Sequence, residues 1–556
     1  MKYNHKGHKV GYTKGAKNKT LCSLWFFLVF FVAKTAPLNP PEGWTFAVVV
    51  KKRVCAKWRF YISLCLCAFG ANFAKANNVQ IFNVQVLDAT HLAFDISWEN
   101  SWSLPDTAPP GNHDAVWVFI KYQNNMAWQH LDVSATAIDY TLTGNTLSIN
   151  PASDGKGFFI ERADTGRGNI GPTHILVKYA DSLNIMANSS FRVFGIEMVY
   201  VPQGGFYLGD GVANHVFSRG DKPAPFFINS ENSIPVGKDS LSLLDTGMYA
   251  PVAAIPAAYP KGYNAFYSMK YEISQWQYVS FLNCLSFNQQ ETRTVVSPAS
   301  ASGTFAFSSS TASRNGIVID IPGASGAAPA VYACDADNKT TYNDTGAGQA
   351  RACNFLGWAD IAAYLDWAAL RPMTEMEFEK ICRGPVYPIA GEFAWGTAFA
   401  TDGNTIINDG TPEESVSEVP PAGYGLARYY SKTGPLGPMR CGFAGGTHRG
   451  RLPLGAAYFG VMEMSGNLWE NCITVDTMGL SFTGNNGDGV LSATGDANVL
   501  NWPGISGIGA GYRGGAFESS ITGTFRDLAV SDRFYAGLPP NLRRNTSGGR
   551  GVRNEK

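Results

Sequence analysis

Eight residues near the end of the chain combine flat rings with multidentate donors: Phe517, Glu518, Arg533, Phe534, Tyr535, Asn541, Arg543 and Arg544. Rigid aromatics and arginines give large contact area and directed hydrogen bonds, which is the chemistry of recognition rather than of bond breaking. These eight are the candidate ligand surface. A second group holds hard oxygens: Asp335 and Asp337 lie beside Asn338, with Asn343 and Asp344 just beyond. Clustered carboxylates and amides can hold calcium. The glycine and closing glutamate of an EF-hand loop are absent, which favours an ordinary solvated polar loop over a bound ion.

Other reactive side chains are scattered. The six cysteines beyond residue 76 (Cys284, Cys334, Cys353, Cys382, Cys441, Cys472) contain no C-x-x-C pair, so neither zinc nor a dithiol redox site is supported. Disulfides and buried thiols both stay open. The histidines stand singly, as structural residues do.

The elements that must position these groups read in two blocks. In residues 77–195, Leu92, Phe94, Ile96 and Trp98 alternate as in a half-buried strand. Val116-Trp-Val-Phe-Ile120 is an unbroken apolar run suited to a central strand. Turn clusters separate such runs, and the spacing predicts an all-β sandwich. The block 196–556 has fewer periodic segments. Helices are expected at Ser274–Leu282, Asp360–Ala369 and Thr374–Cys382, the last opened by a T-x-x-E capping box. The Ser/Thr/Gly-rich stretch 297–350 reads as a long loop inserted in this block.

Residues 1–76 read as an N-terminal extension and leader. Lys51-Lys-Arg53 and Arg59 precede the apolar run Phe60–Phe69, and Ala74-Lys-Ala76 follows as a cleavage pattern. A secreted or cell-surface protein of bacterial type, starting near Asn77 and without a membrane anchor after cleavage, is expected. Net charge is zero, with 44 acidic and 44 basic residues, so no basic surplus points to nucleic acid.

Three segments carry a family likeness: Arg371-Pro-Met-Thr-Glu-Met-Glu-Phe-Glu-Lys-Ile-Cys-Arg-Gly384, Met464-Ser-Gly-Asn-Leu-Trp-Glu470 and Tyr512-Arg-Gly-Gly515. In this order, with Glu197–Gly209 as an opening and Gly551-Val-Arg553 as a close, they resemble the formylglycine-generating enzyme, or sulfatase-modifying factor, domain. The resemblance spans about 195–553. It implies a C-type-lectin-like domain with little regular structure, which together with the β-sandwich read from residues 77–195 makes an α+β protein. It also implies calcium near Asn467 and Glu470.

The family's oxidases bind copper through two cysteines placed shortly after R-G-G-S-W. Here Ser519 stands about where the first cysteine would be, and no cysteine follows Cys472. A serine hydroxyl is neither soft nor readily ionised. The iron-binding histidines of a related sulfoxide synthase have no counterpart either, so copper and iron are not expected. The resulting expectation is a non-catalytic module binding a protein, peptide or glycan. The alternative is a metal- and oxygen-dependent oxidase acting on a thiol.

Overall fold

The computed structural model describes residues 78–124, 127–179, 190–211, 215–245, 253–308, 311–430, 434–446, 450–521 and 526–555. The leader and the expected start at Asn77 lie outside the described residues. No described helix is long and apolar enough to cross a membrane.

The described residues of the first block form nine strands: β1 (Gln80–Val86), β2 (His91–Ser103), β3 (Asp114–Asn124), β4 (Ala127–Leu131), β5 (Tyr140–Leu142), β6 (Leu147–Pro151), β7 (Phe158–Arg162), β8 (Gly166–Lys178) and β9 (Phe191–Val201). One antiparallel sheet has the order β1-β2-β8-β5. The other runs β6-β7-β3-β9, with β4 also on β3, and then continues through Phe266–Met269 to Val552–Asn554. Leu92, Phe94, Ile96 and Trp98 of β2 face Val116, Val118 and Ile120 of β3 in the sandwich core.

The other face of β3 is buried too. Ala115, Trp117 and Phe119 pack with Tyr278, Phe281, Leu365 and Trp367 from the second block. Phe119 meets Trp367 edge-on at 5.1 Å. Trp117 Nε1 donates to the Ala368 carbonyl at 2.9 Å. A strand covered on both sides needs apolar residues at every position, which is why the run 116–120 does not alternate. One sheet therefore serves both blocks, and β9 passes through residue 195 without a break.

Among the described residues of the second block lie four α-helices: α1 (Gln275–Leu282), α2 (Phe287–Arg293), α3 (Trp358–Trp367) and α4 (Glu375–Arg383). Ser274 caps α1, its Oγ accepting from Gln277 N at 3.2 Å while Gln277 Oε1 accepts from Ser274 N at 2.9 Å. Thr374 and Glu377 close the same reciprocal box on α4. The helix expected up to Ala369 spans Trp358–Trp367, and Asp360 reaches back to the Gly357 amide at 3.0 Å as the third residue of its first turn. Helix α2 was not expected, although Ser286-x-x-Gln289 forms an identical capping box.

The stretch 297–350 is not a structureless loop. Ile317–Ile321 pairs antiparallel with Val331–Cys334, and Ile317, Ile319, Tyr332 and Cys334 enter the main core. The β-branched run 317–319 supplies enough apolar area to order a segment of otherwise weak composition.

Candidate functional site

The motif on α4 is an anchoring device. Three of its glutamates face inward and each meets an arginine. Glu377 takes Arg371 bidentately, at 2.7 and 2.9 Å. Glu379 takes Arg513 at 2.9 Å and Arg383 at 3.0 Å. Glu375 takes Arg513 at 3.1 Å and Arg533 at 2.6 and 2.8 Å. All of these side chains are buried. Burial opposes ionisation of Glu375, but Arg533 and Arg513 outweigh it and hold its carboxyl below the usual range. Arg513 also donates to the Val530 carbonyl at 2.5 Å. One helix thus fixes both the Arg513-Gly-Gly515 turn and the segment around 530–533.

This anchoring shapes a cleft. Strands Trp469–Ile473 and Ala510–Arg513 pair antiparallel, with Asn471 opposite Tyr512 and Glu470 opposite Arg513. Successive side chains point to opposite faces, so Arg513 turns inward and Tyr512 turns toward the cleft. Tyr512 N donates to the Tyr535 carbonyl at 3.0 Å. Trp469 meets Tyr512 at 5.9 Å and Tyr535 edge-on at 5.3 Å. The cavity measures about 270 Å³ and is lined by these three rings with Glu518, Ser519, Asp527 and Arg544 among others. The Ser519 Oγ accepts from Ala516 N at 3.0 Å. Burial pushes the Asp527 carboxyl up to about 6, with the Ser519 hydroxyl opposing. Asn545 Nδ2 donates to Glu518 at 2.8 Å and ties the rim. The arrangement offers ring faces, a carboxyl that titrates near 6 and a guanidinium at the rim. That suits binding through stacking and hydrogen bonds.

Of the eight expected ligand residues, Glu518, Tyr535 and Arg544 meet at this cleft. The single exposed face is corrected for others. Phe517 is fully buried with Ala352 and Leu468. Arg533 is buried on Glu375, with its guanidinium 3.9 Å from the Phe217 ring centre. Arg543 grips Asp360 through two bonds of 2.8 Å. These arginines are consumed by buried carboxylates, a pairing that sequence distance hides. Phe534 is half-buried edge-on to His215 and to Tyr535. Asn541 is exposed, and neither lines the cleft. Sequence reasoning missed Trp469, Tyr512 and Asp527. Strand alternation around Arg513 was the available signal for Tyr512.

The calcium candidates have protein partners. Asn467 Oδ1 accepts from Met439 N at 2.7 Å. Arg550 Nε donates to Glu470 Oε1 at 2.6 Å. One oxygen of Glu470 is thus already paired with a guanidinium. Asp335 accepts from the Lys339 amide at 3.0 Å, and Asp337 pairs with the Lys339 ammonium at 2.6 Å. Among the described residues no group of three or more His, Cys, Asp or Glu is arranged to hold a metal. The six described cysteines are free, and none lines the cleft. With Ser519 in it, the cleft does not fit copper.

The family model described as "Sulfatase-modifying factor enzyme 1-like domain" matches residues 192–554. The chain belongs to this family. The sulfatase-modifying-factor-like domain accordingly begins within β9 and ends on Val552–Asn554, the two outer partners of strand Phe266–Met269. No curated protein matches the chain. A solved structure titled "pH-induced modulation of Streptococcus parasanguinis adhesion by Fap1 fimbriae" covers 28% of this chain and 84% of its own, at 16% identity and a TM-score of 0.10. That likeness carries no argument.

Proposed function

We propose that this protein is a non-catalytic, ligand-binding member of the sulfatase-modifying-factor family, working outside the cytoplasm, with the Trp469–Tyr512–Tyr535 cleft as its binding site. One observation carries the reading. Ser519, which by resemblance takes the place of the first copper-binding cysteine, lines a cleft that none of the described cysteines enters. Without a thiolate the oxidase chemistry has no soft ligand, whereas the rings, Asp527 and Arg544 remain a recognition surface. The basic, apolar, then small-residue order of residues 51–76 supports export.

The test has two arms. The protein is incubated with copper, oxygen and a cysteine-containing sulfatase-type peptide, and the peptide is weighed by mass spectrometry. No aldehyde product is expected. Protein- and copper-dependent conversion would instead establish the oxidase. The second arm probes glycan and peptide arrays with wild type and Tyr535→Ala. A hit lost in the variant supports the reading, and a hit that survives removes the cleft from it.

A further inference from the structure

A second surface has the composition of a binding site and lies away from the cleft. Strands Phe206–Leu208 and Phe226–Ile228 form an antiparallel pair in which Tyr207 stands directly opposite Phe227. Period-two alternation sends Phe206, Leu208, Phe226 and Ile228 into a core and turns Tyr207 and Phe227 outward. The Phe227 ring is 4.8 Å from Tyr207, and Tyr387 stands edge-on to Tyr207 at 5.0 Å. Phe227 is 47% exposed and Tyr387 60%. Gly205 seats the ring: a Cβ there would lie 2.6 Å from Phe227 Cζ. Only a residue without a side chain lets the ring lie across that backbone.

The three rings border a groove of about 620 Å³. Its lining also includes small amide and hydroxyl side chains, Asn229, Ser230, Asn232 and Ser233. Ser233 Oγ donates to the Ile255 carbonyl, and Ser230 Oγ accepts from Asn232 N at 3.3 Å. The Asn232 side-chain amide and the Asn229 Nδ2 have no partner among the described residues, which leaves donors and an acceptor for a ligand. Of the two cations, Arg219 is tied to Asp221 at 2.9 Å, and Lys222 sits at the rim.

We propose that this groove is a second binding site, for a carbohydrate chain: the pyranose C–H faces stack on Phe227, Tyr207 and Tyr387 while their hydroxyls bond to Asn229 and Asn232. Sugar rings present an apolar face and a fringe of hydroxyls at once, matching a groove that is lined by both exposed rings and spare amides. An apolar protein segment would leave those amides unpaired. No residue lines both this groove and the Trp469 cleft.

The full chain is run in native gels containing a soluble neutral β-glucan, a mannan or a polygalacturonate. Retardation by at least one of these is expected. Phe227→Ala and Tyr387→Ala should each weaken it by about tenfold, the effect of losing one well-seated ring. Tyr387 lies in a loop, so its variant stands in if Phe227→Ala fails to fold. Tyr535→Ala should migrate as wild type does, which separates this site from the proposed cleft. Failure of all three polysaccharides to retard the protein would overturn the proposal. So would retardation untouched by both ring variants, or retardation abolished by Tyr535→Ala.

Discussion

Arg533 grasps Glu375 through bonds of 2.6 Å from Nε and 2.8 Å from Nη2, across 158 residues of sequence. Arg513 joins the same carboxylate at 3.1 Å. Truncating one partner of a buried pair strands the other charge. Arg533→Met should therefore lower stability by about 3 kcal/mol, the lower end of such losses, because Arg513 still faces Glu375. Urea denaturation measures it. A loss of about 0.5 kcal/mol or less, as at an ordinary surface site, would show that the anchor is dispensable.

Arg544 is exposed at the mouth of the cleft, and Tyr535 is half-buried against Trp469. For a ligand found on the arrays, Arg544→Ala and Tyr535→Ala should each weaken binding by about 1–3 kcal/mol. Arg544→Ala should leave the melting temperature unchanged. Calorimetric titration of the ligand into both variants decides this, and wild-type affinity in both would remove the cleft from the binding account.

Asp527 makes a pH prediction whose sign follows from its raised carboxyl, near 6 in the folded protein. The unfolded chain loses that proton near the ordinary value of about 3.9. Between these values the native state binds more protons, so this residue's contribution to stability is present below about pH 4 and is lost as pH rises through 6. Asp527→Asn lacks this loss. Its melting temperature relative to wild type should rise between pH 4 and pH 7. A difference that stays flat with pH would mean Asp527 titrates normally.

The shared sheet predicts how the protein can be cut. A fragment of residues 78–201 would bare Trp117, Phe119 and Phe159, which the second block covers. Contiguous apolar surface of this kind promotes association. The fragment is expected to bind a hydrophobic dye and to aggregate in sedimentation runs. A monomeric fragment with cooperative unfolding would show that the sandwich stands alone.

What the sequence made legible was local. The capping boxes at Ser274 and Thr374 set helix starts to the residue, and the unbroken run 116–120 marked a central strand. The box at Ser286 carried equal information but lay beside a polar helix, Phe287–Arg293, with little periodicity to draw attention. The hairpin at 317–334 was hidden by its serine- and glycine-rich flanks. The binding face was only partly legible for a different reason. Phe517, Arg533 and Arg543 look like surface residues by type, and only their partners, Leu468, Glu375 and Asp360, reveal that the first two are buried and the third is tied down. Those partners are far away in sequence, and no local pattern encodes the encounter.

Arg553 closes over the Trp117 ring at 4.0 Å and ion-pairs with Asp154, 399 residues earlier. During translation at about 5–20 residues per second, Asp154 emerges roughly 20 to 80 seconds before its partner exists. For the part of that interval before Tyr278 to Trp367 have been made, the outward rings of β3 have nothing of their own chain to cover them. The nascent protein therefore carries a sticky sheet face for a time fixed by elongation speed and not by its final stability. Yield should depend on holdase capacity in the producing cell, and slower ribosomes should make it worse.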